Sequence, residues 1–401
     1  MNHWRKNIIL YLCSQTISLF GSALVQYSIM WYITLETKSG LMMTVYILCG
    51  FLPTLVLSPF GGVWADRYNR KLLIILSDSI IALSTMAMAA LFMLGFKALW
   101  MIFAISAIRA FGTAVQTPAA SSLLPALVPE DQLTRVNGIN SSIMSVTMLV
   151  SPIAGGALMS LLPLEYILLI DVFTAIAGVS ILALLVKVPY TNPTGAAKQT
   201  GYLKDMVLGF NYIKEHSFLT AFFFYISIIL FLAATPAFLT PLQVARSFGS
   251  EVWRLTAIEI SFSLGMLAGG VLITWWGGFR NRFHTMLLGN GVMGVFTMTL
   301  ALAQNFWLYL GFMSVIGIAM PLFNTSATVL IQEKVADAYL GRVFSVLTMI
   351  SSSMMPLGML LFGPLSDMNS IETLLLISGF LTSLTSLFMI RHKTLTAAGG
   401  P

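Results

Sequence analysis

Three charged side chains lie deep inside stretches that are otherwise apolar. Arg109, Asp171 and Glu259 each fall within a run long enough to form a membrane-spanning helix. Holding a charge inside a bilayer costs a few kcal/mol or more, so such residues are candidates for function. A carboxyl group there can bind and release a proton, and a neighbouring guanidinium opposes the binding. We therefore expect Glu259 to exchange protons, with Asp171 as the second candidate and Arg109 as a modulator.

The other ionisable and metal-ligating residues indicate structural roles. Asp78 lies one to two turns beyond a basic cluster, and we expect it to pair with Arg70 or Lys71. Cys13 and Cys49 fall in apolar runs, where two buried core residues are expected rather than a disulfide. The four histidines lie at run ends or in the tails. The sequence thus predicts no metal site, no cofactor and no enzyme active site.

The elements that position the charged residues are membrane helices. The 401 residues are 57% hydrophobic and 9% charged, with a mean hydropathy of +0.88, whereas soluble proteins carry about 25% charged residues. A helix needs about 20 apolar residues to cross a bilayer. Twelve such runs fit the chain, at 7–34, 41–64, 72–96, 99–126, 140–162, 165–187, 218–243, 253–275, 284–303, 306–330, 343–365 and 371–390. We predict an all-α membrane protein surrounded by lipid.

Charge in the loops orients these helices. If both termini are cytoplasmic, sixteen of the 21 Lys and Arg residues lie inside, four lie outside and Arg109 lies in the membrane. Cytoplasmic loops are the ones that carry an excess of Lys and Arg. The net charge of +6 is therefore explained by topology, without nucleic acid as a partner.

The chain divides into two similar halves. A polar interruption at 188–217 contains helix-breaking Pro and Gly, followed by an amphipathic stretch that we expect to lie on the cytoplasmic membrane surface. It separates a six-helix bundle at 1–187 from another at 218–401. At a constant offset of 207, Ala120 matches Ala327 and Arg135 matches Arg342. Membrane transporters built from parallel repeats bind their cargo between the two halves near the midplane.

A basic loop between the second and third runs identifies the family that the chain resembles. Gly62, Asp66, Arg67, Arg70 and Lys71 fit the Gly-x-x-x-Asp-Arg-x-Gly-Arg-Arg/Lys loop of the major facilitator superfamily. Asn69 replaces the second Gly, and Asn tolerates the left-handed backbone that a Gly would take.

The resemblance to this superfamily implies that the loop is a conformational switch. Asp66 would meet the start of the eleventh helix near Arg342. Arg109 falls where the superfamily carries an Arg linked to proton transfer in its fourth helix.

The fifth run carries part of a second family motif. Pro152, Gly155 and Gly156 resemble the end of the Gly-Pro-x-x-Gly-Gly motif of drug/proton antiporters, although the same residues would also produce an ordinary packing kink. Motifs along nearly the whole chain, such as Leu127–Leu133 and Tyr339–Ser345, resemble the macrolide-efflux branch. That branch implies proton-coupled export of macrolide-type drugs from a bacterial plasma membrane. The alternatives are export of a siderophore or another metabolite, or import of a small polar solute.

Cargo is expected to contact the first, fourth, seventh and tenth helices. Gln15, Gln26, Phe231 and Asn324 are the candidates by polarity or bulk, while Asn324 is equally suited to cap the turn before its loop. A channel would need a ring of equivalent polar residues, which two dissimilar halves cannot form. Small-molecule cargo, protons and the lipid bilayer are the expected partners, and a monomer is the expected state.

Overall fold

The structure is a computed structural model that describes residues 3–188 and 202–398, and these are nearly all helical. A turn of 3₁₀-helix at Glu130–Gln132 precedes α5, and a π-helical turn at Ile181–Leu185 ends α6. The helices are α1 (His3–Thr37), α2 (Gly40–Arg67), α3 (Arg70–Met93), α4 (Leu99–Ala126), α5 (Leu133–Leu161), α6 (Leu164–Ser180), α7 (Tyr202–Glu215), α8 (Ser217–Ser247), α9 (Val252–Trp276), α10 (Arg282–Leu302), α11 (Phe306–Lys334), α12 (Asp337–Met368), α13 (Ile371–Arg391) and α14 (Lys393–Ala398).

Twelve helices in the described residues are long and apolar enough to cross a membrane, as the sequence predicts. They are α1 to α6 and α8 to α13. Several extend well past the apolar runs. The fifth span begins at Glu130 rather than at 140, because the residues before the run are compatible with helix even where they are too polar for lipid.

The chain forms two compact units. The first contains described residues 3–36 and 45–188, and the second contains 37–44 and 202–398. In the first unit α3 packs against α4 and α6. In the second, α11 packs between α9 and α10, and α8 packs against α12 and α13.

The first turn of α2 belongs to the second unit, where the carboxylate of Asp367 caps it. The backbone amides of Gly40 and Leu41 each donate to Asp367 at 2.9 Å. Arg246 pairs with the same carboxylate at 2.7 Å. A Cβ on Gly40 would lie 2.3 Å from the carbonyl oxygen of Gly363, so glycine allows this close approach of two backbones.

The linker helix exists as α7, while residues 189–201 of the predicted linker lie outside the described part. Helix α7 packs on the beginning of α12, where the rings of Tyr212 and Tyr339 stack at 4.4 Å. Ile213 is buried in the core of the second unit, whereas Val207 and Phe210 are exposed. Its apolar face is thus only partly used by packing inside the protein, which leaves apolar surface available for lipid.

Candidate functional site

Arg109 and Asp171 form a buried ion pair inside the first unit. Their side chains are 12% and 0% exposed, and Nη1 of Arg109 lies 2.5 Å from Oδ2 of Asp171. Arg109 extends from α4 and Asp171 from α6, and both elements pack on α3. An ion pair in a low-dielectric interior is retained only when additional hydrogen bonds satisfy both partners.

Two hydroxyl groups complete this pair. Ser22 of α1 donates to Oδ1 of Asp171 at 2.9 Å, and Thr85 of α3 donates to Oδ2 at 2.9 Å. Arg109 in turn donates to the Thr85 hydroxyl. Sequence reasoning missed Thr85, although its position seven residues after Asp78 puts both on one face of α3. Four helices therefore converge on one carboxylate.

Helix α1 contributes a line of polar side chains, here termed the α1 seam, formed by Tyr11, Gln15, Ser18 and Ser22. Their spacing of three and four residues places them on one helix face. Tyr11 donates to the carbonyl of Ala120 at 2.8 Å. Gln15 is 4% exposed and accepts a hydrogen bond from Gln116 at 2.9 Å. The seam thus faces the interior of the first unit.

Asp78 does not pair with Arg70 or Lys71, so that prediction is wrong. Arg70 donates to the backbone carbonyls of Ala65 and Ser122, and Lys71 donates to those of Ala183 and Val186. Long basic side chains can hydrogen-bond to the backbone carbonyls near a helix end. Both cations make such bonds and therefore do not pair with Asp78.

Asp78 is instead 4% exposed, and the Ser18 hydroxyl of the α1 seam lies beside its carboxyl group. The side chain therefore points into the helix bundle, away from the basic loop.

Glu259 is half-buried on α9. The buried residues of that helix are Leu255, Ile258, Gly265 and Gly269. Glu259 lies beside this stripe, and no cation lies within ion-pairing distance of it among the described residues. Of the two carboxylates predicted to exchange protons, Asp171 is thus ion-paired, and Glu259 has no cation within ion-pairing distance among the described residues.

The basic loop differs in detail from the predicted geometry. Asn69 has φ −63° and ψ 109°, so its backbone is extended and does not use the left-handed conformation that Asn tolerates. Its side chain accepts from the amide of Leu72 at 3.2 Å and thereby caps α3, which is a preferred role of Asn before a helix. Asp66 and Arg67 are exposed at the end of α2.

The glycine required for packing beside this loop is Gly61. A Cβ on Gly61 would lie 2.3 Å from the carbonyl oxygen of Ala114, whereas one on Gly62 would meet nothing within 4 Å. Sequence reasoning selected Gly62 from the motif and missed its neighbour. In the second unit, the guanidinium of Arg342 lies 5.4 Å from the ring centre of Tyr339.

The motif in α5 forms a close helix contact. Pro152, Gly155 and Gly156 are buried. A Cβ on Gly155 would lie 3.3 Å from the Ser28 hydroxyl and 3.4 Å from the carbonyl of Leu24, so α5 approaches α1 closely here. This geometry is compatible with both the antiporter motif and a packing kink.

The cargo candidates fall in different environments. Gln26 and Asn324 are exposed, and Asn324 lies in the middle of α11, so it does not cap the turn. Phe231 packs on Phe362 at 5.6 Å and lines an apolar groove of about 480 Å³ formed by α8, α12 and α13. Gln15 is buried in the α1 seam, where it accepts a hydrogen bond from Gln116. Cys13 is exposed and Cys49 is half-buried, so the expectation of two buried cysteines is wrong.

A family model described as Major Facilitator Superfamily matches residues 11–359. The chain belongs to this superfamily. It is 32% identical to Macrolide efflux protein A of Streptococcus pyogenes over 384 residues, which cover 95% of this chain and 94% of that protein. It is 23% identical to the Staphyloferrin A transporter of Staphylococcus aureus over 396 residues, covering 96% of each.

The fold is shared with solved transporters. A crystal structure of a POT family transporter in complex with a thioalcohol-conjugated peptide matches with a TM-score of 0.71 at 13% identity, covering 96% of both chains. With twelve apolar helices and bacterial relatives, this major facilitator is a multi-pass plasma-membrane transporter.

Proposed function

We propose that this transporter exports hydrophobic or amphipathic drugs of the macrolide type by proton-coupled alternating access. The relationship to Macrolide efflux protein A, at 32% identity over 95% of the chain, carries the cargo assignment. Coupling to protons is supported by the carboxyl groups that the spans hold away from the ends of their helices.

Glu259 is the first candidate for the proton-carrying group. No cation lies within ion-pairing distance of it among the described residues, so a proton on its carboxyl group does not compete with an ion pair. Asp171 is the second candidate. A proton on Asp171 must compete with Arg109 for the same oxygen, so Arg109 modulates that site.

Cargo is proposed to bind between the two halves near the midplane. Gln26 and Asn324 are exposed polar residues of spanning helices and are suited to contact it, and Phe231 adds an aromatic surface. The basic loop with Asp66 and Arg67, and Arg342 on the other half, is proposed to switch the direction in which the cargo site opens.

The membrane potential supplies the driving force in this proposal. A proton entering the cell releases about 2.3 kcal/mol per 100 mV, and a factor of ten in cargo concentration costs about 1.4 kcal/mol. One proton per cargo molecule is therefore enough for an appreciable gradient of a neutral drug.

Accumulation of a radiolabelled macrolide in cells with and without the gene tests the function. Expression should lower accumulation, and an uncoupler should remove the difference. Glu259→Gln should abolish uphill efflux in reconstituted vesicles while downhill exchange survives, because binding and alternation need no proton gradient. Glu251→Gln, at the exposed start of the same helix, is the matched control and should keep uphill efflux.

The outcomes separate the alternatives. Full uphill efflux in Glu259→Gln would remove Glu259 from coupling and leave Asp171 to be tested. Unchanged macrolide accumulation, with gene-dependent release of a ferric chelator into the medium, would favour the siderophore exporter that the relationship to the Staphyloferrin A transporter suggests. Gene-dependent uptake of a small polar solute would favour an importer.

A further inference from the structure

The first unit holds a second buried acid whose role the ion pair does not explain. Asp78 is 4% exposed, and no Lys or Arg lies within ion-pairing distance of it among the described residues. The hydroxyl of Ser18 lies beside its carboxyl group. A carboxyl group placed within a membrane helix without a cation is a functional candidate by default.

Asp78 of α3 and Asp171 of α6 lie next to neighbouring residues of the α1 seam. Ser18 lies beside Asp78, and Ser22, one turn further along α1, donates a hydrogen bond to Asp171 at 2.9 Å. On α3, Asp78 and Thr85 are seven residues apart, which is about 10 Å along the helix axis. The two acids are close enough to interact electrostatically.

The two acids lie at different depths. Helix α3 begins at the basic loop, and Asp78 lies eight residues, or about 12 Å, beyond that beginning. Asp171 is seven residues from the beginning of α6, which starts at the opposite membrane face. Because the hydrocarbon core is about 30 Å thick, the α1 seam connects a site in one half of the membrane with a site in the other.

We propose that Asp78 binds and releases protons and exchanges them with Asp171 along the α1 seam. This inference rests on the proposed proton-coupled transport. The proton leaves a carboxyl oxygen of Asp78 and reaches Asp171 through the hydroxyls of Ser18 and Ser22, with a water molecule spanning the turn between them. Each hydroxyl accepts one proton and gives up its own, so Asp78 gains a negative charge and Asp171 loses one.

The surroundings of Asp78 contain few competing groups. The groups that face it from α1 are the Ser18 hydroxyl and the Tyr11 phenol, and Asp171 acts on it from α6. From α4, Arg109 is bound to Asp171 and Thr85. Protonation of Asp171 would release Arg109 from its ion pair, which links proton arrival to a rearrangement of four helices.

Infrared difference spectroscopy of the purified protein, without cargo, tests this inference. The spectrum is recorded between mildly acidic and mildly alkaline buffer, and it shows the carboxyl C=O band of each group that loses a proton. The Asp78→Asn variant should lose one band of the wild-type spectrum. Ser18→Ala should keep that band but shift its frequency, because it removes the hydroxyl that lies beside the carboxyl group. Ser14→Ala removes another buried hydroxyl of α1, which donates to the carbonyl of Gly178, and should change nothing.

A spectrum of Asp78→Asn with every wild-type band would overturn the inference. If that variant fails to fold, an unshifted spectrum of folded Ser18→Ala would overturn it equally. The measurement needs neither cargo nor a gradient, so absence of uphill efflux by the wild-type protein would sink the proposed function alone. Loss of the band in Asp78→Asn with unchanged thermal unfolding supports proton exchange over a packing role.

Discussion

At the scale of single residues, the Arg109–Asp171 ion pair places two charges in the buried interior of the first unit. Removing one partner of a buried ion pair leaves an uncompensated charge and costs roughly 3–5 kcal/mol. We predict that Arg109→Gln destabilises the first unit by about this amount, because Asp171 is 0% exposed and would keep only its hydroxyl donors. Unfolding in detergent, followed by tryptophan fluorescence, measures the change.

A double-mutant cycle is the control for this prediction. Asp171→Asn combined with Arg109→Gln removes both charges, and the double variant should be more stable than Arg109→Gln alone. If the losses of stability in Arg109→Gln and in Asp171→Asn simply add up to that of the double variant, the pair is not coupled in the folded protein. Ser14→Ala, which removes a buried hydroxyl without touching the pair, reports the cost of losing an ordinary hydrogen bond.

The sequence locates the ionisable residues but not their partners. Asp171 lies in an apolar run, and a charge placed there makes it a candidate for function. Its partners come from α1, α3 and α4, which are distant in sequence, so no spacing rule finds them. Asp78 shows the resulting error. The nearest cations in sequence were assigned to it, whereas those cations bind backbone carbonyls and the carboxyl group turns inward.

At the scale of helices, adjacent glycines in α9 have different roles. A Cβ on Gly269 would lie 2.3 Å from the carbonyl oxygen of Ile318 in α11, while one on Gly270 would meet nothing within 4 Å. Gly269→Ala should therefore force the helices apart, and overpacking of this kind costs typically about 1–3 kcal/mol. Gly270→Ala should be neutral or stabilising by up to about 1 kcal/mol, because Ala favours helix over Gly.

Thermal unfolding of the two variants in the same detergent tests the difference. The pair is matched in chemistry, helix and depth, so lipid and detergent effects cancel. Equal unfolding temperatures would contradict the close approach of α9 and α11.

The sequence predicts which segments form membrane-spanning helices. It does not predict where these helices end or which unit each segment packs against. Apolar runs of sufficient length predict all twelve spans, because lipid requires them. Polar ends extend helices beyond these runs, as in the fifth span. The grouping of 37–44 with the second unit depends on Asp367 and Arg246, which lie far away in the chain. Only the folded chain shows that contact.

At the scale of the whole molecule, the proposed alternating access requires two halves that change the direction in which the cargo site opens. The two compact units are the bodies that such a cycle would move, and the cargo assignment rests on relatives of matching length. Residue and helix contacts within each unit supply its rigidity. The basic loop at Asp66 and the start of α12 are the proposed switch between states.

Substitution of the loop acid tests this switch. A carboxylate at a helix N-terminus gains about 0.3–1 kcal/mol from the helix dipole, and up to about 2 kcal/mol when partly buried. If Asp66 makes such a contact in the state that is closed to the cytoplasm, Asp66→Asn should shift the population towards the state that is open to it. We expect lower transport with normal insertion and unfolding. Distances between spin labels on the cytoplasmic ends of the two halves should lengthen in this variant, whereas in Asp131→Asn, which alters another exposed loop acid, they should not. An unchanged distance distribution in Asp66→Asn would remove the loop acid from the switch.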